Sequence, residues 1–208
     1  MHLSEGLLRP EILIGGAVIS AAFTLYAFKT LKDDEIPKTA VLSALFFLAS
    51  FIHVPIGPTS VHLVLGGIVG AMLGFRAFIA IFVALLLQGV LFGFGGLTTL
   101  GINLFNLATP TLIGYWLFML PSTKRWQKDM LWFLVGFIPL ALSAFLLSLT
   151  LALNGDAFVD AAKLALMAHL PIMFIEGFIT LFALRFIEKV SPHLLHVKKE
   201  CYASHKCA

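Results

Sequence analysis

A chain of 208 residues that is 60% hydrophobic, 12% charged and only +3 in net charge, with a mean hydropathy of +0.99, is neither a soluble domain nor a nucleic-acid binder. It is an integral membrane protein, with room for roughly six to eight spanning helices and none for a separate nucleotide-hydrolysing domain. Both cysteines fall in the last eight residues, so no disulfide framework runs through the body.

The chain opens MHLSEGLLRPE, which has neither a positively charged n-region nor an apolar stretch. It does not read as a cleavable signal, and the expected mature terminus is the encoded one. A histidine at position 2 arises by chance often enough, but it also has a specific chemistry. The Met1 amine, the deprotonated His2 amide and the His2 Nδ1 close two fused rings around one ion, and a further imidazole completes a plane of nitrogens. Such a plane suits Ni(II), Cu(II) and low-spin Co(II), whereas Zn(II) prefers a tetrahedron.

Apolar segments follow at about Glu11 to Lys29, Thr39 to Val54, His62 to Gly74, Ala77 to Gly93, Leu100 to Leu120, Met130 to Leu153 and Ala161 to Ile187. They predict an all-α membrane fold of seven transmembrane helices over residues 1–190. The third segment is short for a full span and predicts a half-helix or an insertion at its polar start. Gly16, Ala17, Ser20 and Ala21 give the first helix a small-residue face, with Ala17 and Ala21 one turn apart, suited to close helix approach.

Every second loop is basic: Lys29, Lys32 and Lys38, then Arg76, then Lys124, Arg125 and Lys128, then Lys189 and the tail. The alternate loops VPIGPTSVH, GFGGLTT and NGDAF carry no lysine or arginine. The positive-inside rule then puts the amino terminus outside and the carboxyl tail in the cytoplasm. Met1, His2 and the loop before His62 share the outer side, which makes His62 the candidate for the last nitrogen.

Pro55, Gly57 and Pro58 stiffen and turn that loop, and Thr59 and Ser60 can cap the third helix or hydrogen-bond a ligand. The same residues also suit an ordinary interhelical turn. His53, at the end of the second helix, suits a supporting role better than ligation, because three groups from Met1 and His2 plus His62 already fill a plane. Gln88, Asn103, Asn106, His169 and Glu176 lie inside apolar runs, where an unpaired polar group costs about 1 to 3 kcal/mol. Asn103 and Asn106 share a helix face and serve either the chelating segment or helix association. His169 and Glu176 lie on one stripe of the last helix; Glu176 can pair with His169 or Arg185, face a partner, or ligate.

The stretch GFGGLTTLG lacks the Gly-Lys-Ser/Thr ending of a phosphate loop and reads as a turn near the outer cavity. Residues 191–208 form a basic cytoplasmic tail, expected to be disordered, with His193, His196, Cys201, His205 and Cys207 in no structural zinc spacing.

MHLSEGLL, HVPIGPTSVHLVLGG, LLLQGVLFGFGGLTTLGINLFNLATP and HLPIMFIEG, in this order across residues 1–190, resemble the CbiM/NikM family. These are the cobalt/nickel substrate-capture membrane subunits (S components) of energy-coupling factor (ECF) transporters of the ABC type. The resemblance implies an inserted, buried amino-terminal segment and a metal site made by Met1, His2 and His62. His53, Thr59, Ser60, Asn103 and Asn106 would then support it. It implies Ni2+ or Co2+ as cargo, no catalytic cofactor, and a place in the cytoplasmic membrane of a prokaryote. Its partners would be a membrane coupling (T) subunit and cytoplasmic ATPases, with a small accessory membrane subunit as a further candidate. The chain itself has no nucleotide-binding motif, so energy must come from another chain.

Three readings stay open. A metal-capture subunit loses its ligand when residues are added before Met1. A capture subunit for an organic vitamin tolerates such an extension and ignores metals. A membrane enzyme using His169 and Glu176 as an acid/base pair loses activity with Glu176→Gln and binds no metal.

Overall fold

A computed structural model describes residues 2–56 and 59–195, with side chains described outside 53–61. Its helices are α1 (Pro10–Thr30), α2 (Ile36–Ala49), α3 (Gly66–Leu73), α4 (Ala77–Phe92), α5 (Leu100–Met119), α6 (Arg125–Leu153) and α7 (Val159–Val190). Four stretches are long and apolar enough to cross a membrane: Pro10–Thr30, Gly66–Phe92, Arg125–Leu153 and Asp156–Val190. The Gly66–Phe92 window is 72% buried, against 22% for α1 and 28% for the α7 stretch. The broken α3–α4 pair is therefore the centre of the bundle, while α1 and α7 turn apolar side chains outward.

Seven transmembrane helices were expected and four stretches qualify as spans by length and composition; the largest change of element lies between the second and third helices. The second helix stops at Ala49 instead of Val54, and the third starts at Gly66 instead of His62. Between them β1 (His53–Ile56) and β2 (Thr59–His62) form an antiparallel hairpin. Pro55 and Pro58 deny a helix its amide donors, and Val54, Ile56, Thr59 and Val61 favour extended backbone. Hydropathy alone did not separate a short buried strand from the start of a helix. Thr59 and Ser60 consequently cannot cap α3, whose N-cap is Leu65.

α3 approaches its neighbours closely because Gly67 and Gly70 carry no side chain. A Cβ on Gly67 would lie 2.2 Å from the Val135 carbonyl oxygen, and one on Gly70 would lie 2.2 Å from that of Thr111. α5 and α6 thus touch its backbone directly. The face α1 presents to the bundle is Gly16, Ser20, Thr24 and Ala27, one position round from the expected Ala17–Ala21 pair. Ser20 Oγ donates to the Gly101 carbonyl at 2.7 Å, and Ala17 adds its backbone where it abuts Gly101. Phe46, Phe78, Ile79, Ile81, Leu107 and Leu140 fill the main core. At the chain's far end a single turn at Pro192–Leu194 brings Leu195 into a cluster with Trp132. Residues 196–208, with the remaining histidines and cysteines of the tail, lie outside the described residues.

Candidate metal site

The segment before α1 enters the bundle instead of lying on it. His2 is 4% exposed and Leu3 is fully buried, and Leu3 and Leu8 pack with Ile102, Leu147 and Leu151. Burying an extended backbone requires partners for its amides and carbonyls, and two asparagines supply them. Asn103 Oδ1 accepts the Leu3 amide at 2.9 Å, and its Nδ2 donates to the Leu3 carbonyl at 3.2 Å and to Thr99 Oγ1 at 3.2 Å. Asn154 Nδ2 donates to the Leu7 carbonyl at 2.6 Å, while its Oδ1 accepts the Arg9 amide at 2.8 Å. A side-chain amide offers one acceptor and a donor group, so each asparagine holds the segment through one backbone amide and one backbone carbonyl.

The glycine-rich turn closes the other side. The Glu5 amide donates to the Gly95 carbonyl at 3.1 Å, and Glu5 Oε1 accepts the Thr98 amide at 3.1 Å. Gly95 has φ of +79°, and a Cβ there would sit 2.9 Å from Asn103 Nδ2 and 3.4 Å from the His2 Cβ. The turn is built around the inserted segment, and Phe94 stacks on the His2 ring with centroids 6.4 Å apart.

His2 reaches His62. Their rings stack with centroids 4.7 Å apart and planes 24° apart. His62 is buried at 1% exposure; its Nδ1–H donates to the Leu63 carbonyl at 2.9 Å. That bond directs the lone pair to Nε2, which has no hydrogen-bond partner among the described residues. Burial first, and then the positive charge of neighbouring groups including His2 and His169, holds His62 well below the usual imidazole range. The site thus keeps one imidazole neutral, with an open nitrogen beside His2.

His53 is the Cα partner of His62 in the hairpin. Met1 lies outside the described residues, as do the side chains of His53, Thr59 and Ser60. Asn103 joins the segment that carries His2, as one of its two expected roles has it. Asn106 takes the other: its Nδ2 donates to Thr150 Oγ1 at 3.3 Å, tying α5 to α6. Gln88 does the same between α4 and Ser50, at 2.8 Å.

His169 donates from Nδ1 to the Ala165 carbonyl one turn back at 2.5 Å. Glu176 pairs with neither His169 nor Arg185: its Oε1 accepts the Val64 amide and, at 2.8 Å, the Leu65 amide, while Arg185 grips both oxygens of Asp129. An acid/base pair of His169 and Glu176 has no support in this geometry. Asn154 and the Glu176 contacts escaped the sequence reading; the one signal for Asn154 was a polar residue in a loop without lysine or arginine, on the same side as His2. Among the described residues no three His, Cys, Asp or Glu side chains converge on a metal-sized space.

A family model described as the cobalt uptake substrate-specific transmembrane region of CbiM matches residues 2–194. A metal transport protein of Haemophilus influenzae is 36% identical over 200 residues, covering 94% of this chain and 97% of its own. A cobalt transport protein of Methanocorpusculum labreanum is 30% identical, covering 94% and 92%. A fused nickel transport protein of Archaeoglobus fulgidus is 27% identical over 95% of this chain and 69% of its own length. Crystal structures of a truncated transition metal transporter and of a transition metal transporter share this fold. Their TM-scores are 0.78 and 0.79, over 91% and 96% of this chain and 99% of each of theirs, at 23% identity.

Proposed function

Because the chain belongs to the CbiM family and is a multi-pass membrane component of cobalt/nickel transport, we propose that it captures Ni2+ or Co2+ with the Met1 amine, the His2 amide and Nδ1, and His62 Nε2. The observation that carries this reading is the buried His2–His62 stack, with His62 Nδ1 committed to Leu63 and Nε2 left open. Two imidazoles alone are a weak site. The amide of His2 itself and the amine of Met1 complete a flat, all-nitrogen donor set of the kind nickel and low-spin cobalt prefer.

The amine and amide must shed protons to bind, while His62 is already held neutral, so loading releases protons and weakens on acidification. The Asn103 and Asn154 clamps hold the donor segment before the ion arrives, which limits the ordering that binding has to supply. The seven helices form a bundle in a prokaryotic cytoplasmic membrane with the His2 end outward and the basic end inward. A coupling subunit in the membrane and cytoplasmic ATPases, as in energy-coupling factor transporters, drive the loaded site to the inner side.

The test is metal content and absorption spectrum of three purified proteins: the native terminus, a terminus extended by two residues, and His62→Ala. The native protein should bind one nickel ion as a yellow, diamagnetic complex. The extended terminus should lose the complex, and His62→Ala should keep at most a weaker three-nitrogen site. An extended protein with the native spectrum would eliminate the fused-chelate reading, and indifference of all three to metal would favour an organic cargo.

A further inference from the structure

Glu176 is fully buried in the middle of α7, between His169 and Thr180, which are equally buried. No ion pair neutralises it among the described residues. Its Oε1 reaches across to the chain just after His62 and accepts two consecutive amides, those of Val64 and Leu65. Leu65 has φ of +54° and ψ of +26° and is buried. A branched side chain in the left-handed region costs about 1 to 2 kcal/mol and persists only where its surroundings hold it.

The carboxylate oxygen that receives both amides sits at the start of α3, where the helix dipole favours negative charge. Local sequence supplies no cap here; the stretch Leu63-Val64-Leu65 has no Ser, Thr, Asp or Asn. The Leu63 carbonyl accepts the His62 Nδ1–H. Its direction is set by the same peptide planes that Glu176 grips. A continuous line of contacts therefore runs from Glu176 through the Val64 and Leu65 amides and the Leu63 carbonyl to the His62 ring.

We propose that Glu176 is a positioning residue for metal capture: one carboxylate oxygen on α7 holds the backbone after His62 and so aims Nε2 at the ion. The proposal rests on His62 being a ligand. It requires reach rather than charge. Because Oε2 has no partner among the described residues, an amide NH2 in its place breaks no bond.

Two substitutions separate reach from charge. Glu176→Gln keeps the acceptor at the same distance and removes the charge. Glu176→Asp keeps the charge and withdraws the acceptor by one methylene. In the full-length protein without metal, hydrogen exchange at the Val64 and Leu65 amides should stay slow with Gln and speed up with Asp. Nickel affinity, titrated in detergent with nickel chloride, should fall by about tenfold or more with Asp and stay within about threefold of wild type with Gln. In a His62→Ala background, Glu176→Asp should produce no further loss, since nothing is left to aim.

Unchanged exchange with Asp, equal damage from Gln and Asp, or an additive loss on top of His62→Ala would each overturn the proposal. The exchange measurement needs no metal. If the wild-type protein proved not to bind nickel, the ligand assignment would fall, while the exchange rates still reported on the latch.

Discussion

At the end of the bundle that carries His2, two neutral side-chain amides bonded to backbone cross between elements, beside the contacts of Glu5 with the glycine-rich turn. Asn103 holds Leu3, and Asn154 holds Leu7 and Arg9. At the opposite end the crossing contacts are charged pairs: Arg76 with Glu35 at 2.6 Å, Lys128 with Glu188, and Arg185 with Asp129. The two kinds of contact do different work. A buried asparagine bonded through both its oxygen and its nitrogen sets the register of a peptide, because leaving either partner unpaired in the interior is expensive. Partly exposed ion pairs stabilise little and tolerate small displacements. The end proposed to present donor atoms to the metal is built from the first kind. The end rich in Lys and Arg is built from the second.

The largest test of that contrast is Asn103→Leu. It removes bonds to Leu3 N–H, Leu3 C=O and Thr99 and leaves those groups buried, so stability should drop by about 2 to 4 kcal/mol. Nickel binding should fall with it, by tenfold or more on the order of other supporting-contact losses; thermal unfolding in detergent and metal titration read both. Asn154→Ala loses two half-buried bonds farther from His2. It should cost about 1 to 2 kcal/mol and weaken metal binding less than Asn103→Leu does.

A pH series comes next. Burial lowers His62, so below the ordinary imidazole value of about 6.5 the unfolded chain takes up a proton that the folded chain refuses. Stability of the metal-free protein should hold above that pH and decline as pH falls below it. His62→Ala should flatten the decline, and a Tm with the same pH slope in both proteins would contradict the buried neutral imidazole. The smallest effect is expected at the charged end. Glu35→Gln should change stability by less than about 1 kcal/mol and leave nickel affinity unchanged. A metal-binding loss there equal to that of Asn103→Leu would erase the distinction between the two ends.

Asn103 shows how much of the candidate site could be read in advance, and Glu176 shows where reading stopped. Asn103 shares a helix face with Asn106 inside an apolar run, a bond to the inserted segment was one of two expectations for it, and it is hydrogen-bonded to Leu3. Glu176 offered only its oddity as a buried carboxylate. Its partners are backbone amides 111 and 112 positions away, and an amide leaves no trace in residue type. The hairpin at 53–62 was hidden for a related reason. His62 opens an apolar run whether that run is strand or helix, and only packing against the rest of the bundle chooses.

What the sequence determined by itself is what depends on composition and order along the chain. Hydropathy sets a membrane bundle, the alternation of basic and uncharged loops distinguishes its two ends, and Met1-His2 with His62 supplies the nitrogen donors of the proposed site. The tertiary structure decided what depends on distance in space. It brings the His2 ring to 4.7 Å from His62, replaces a helix start by a hairpin, threads the amino-terminal segment between two asparagines, and aims a distant glutamate at the backbone just after His62. Hydrogen bonds between a side chain and a remote peptide group carry no sequence signature, because every residue but proline offers the same amide.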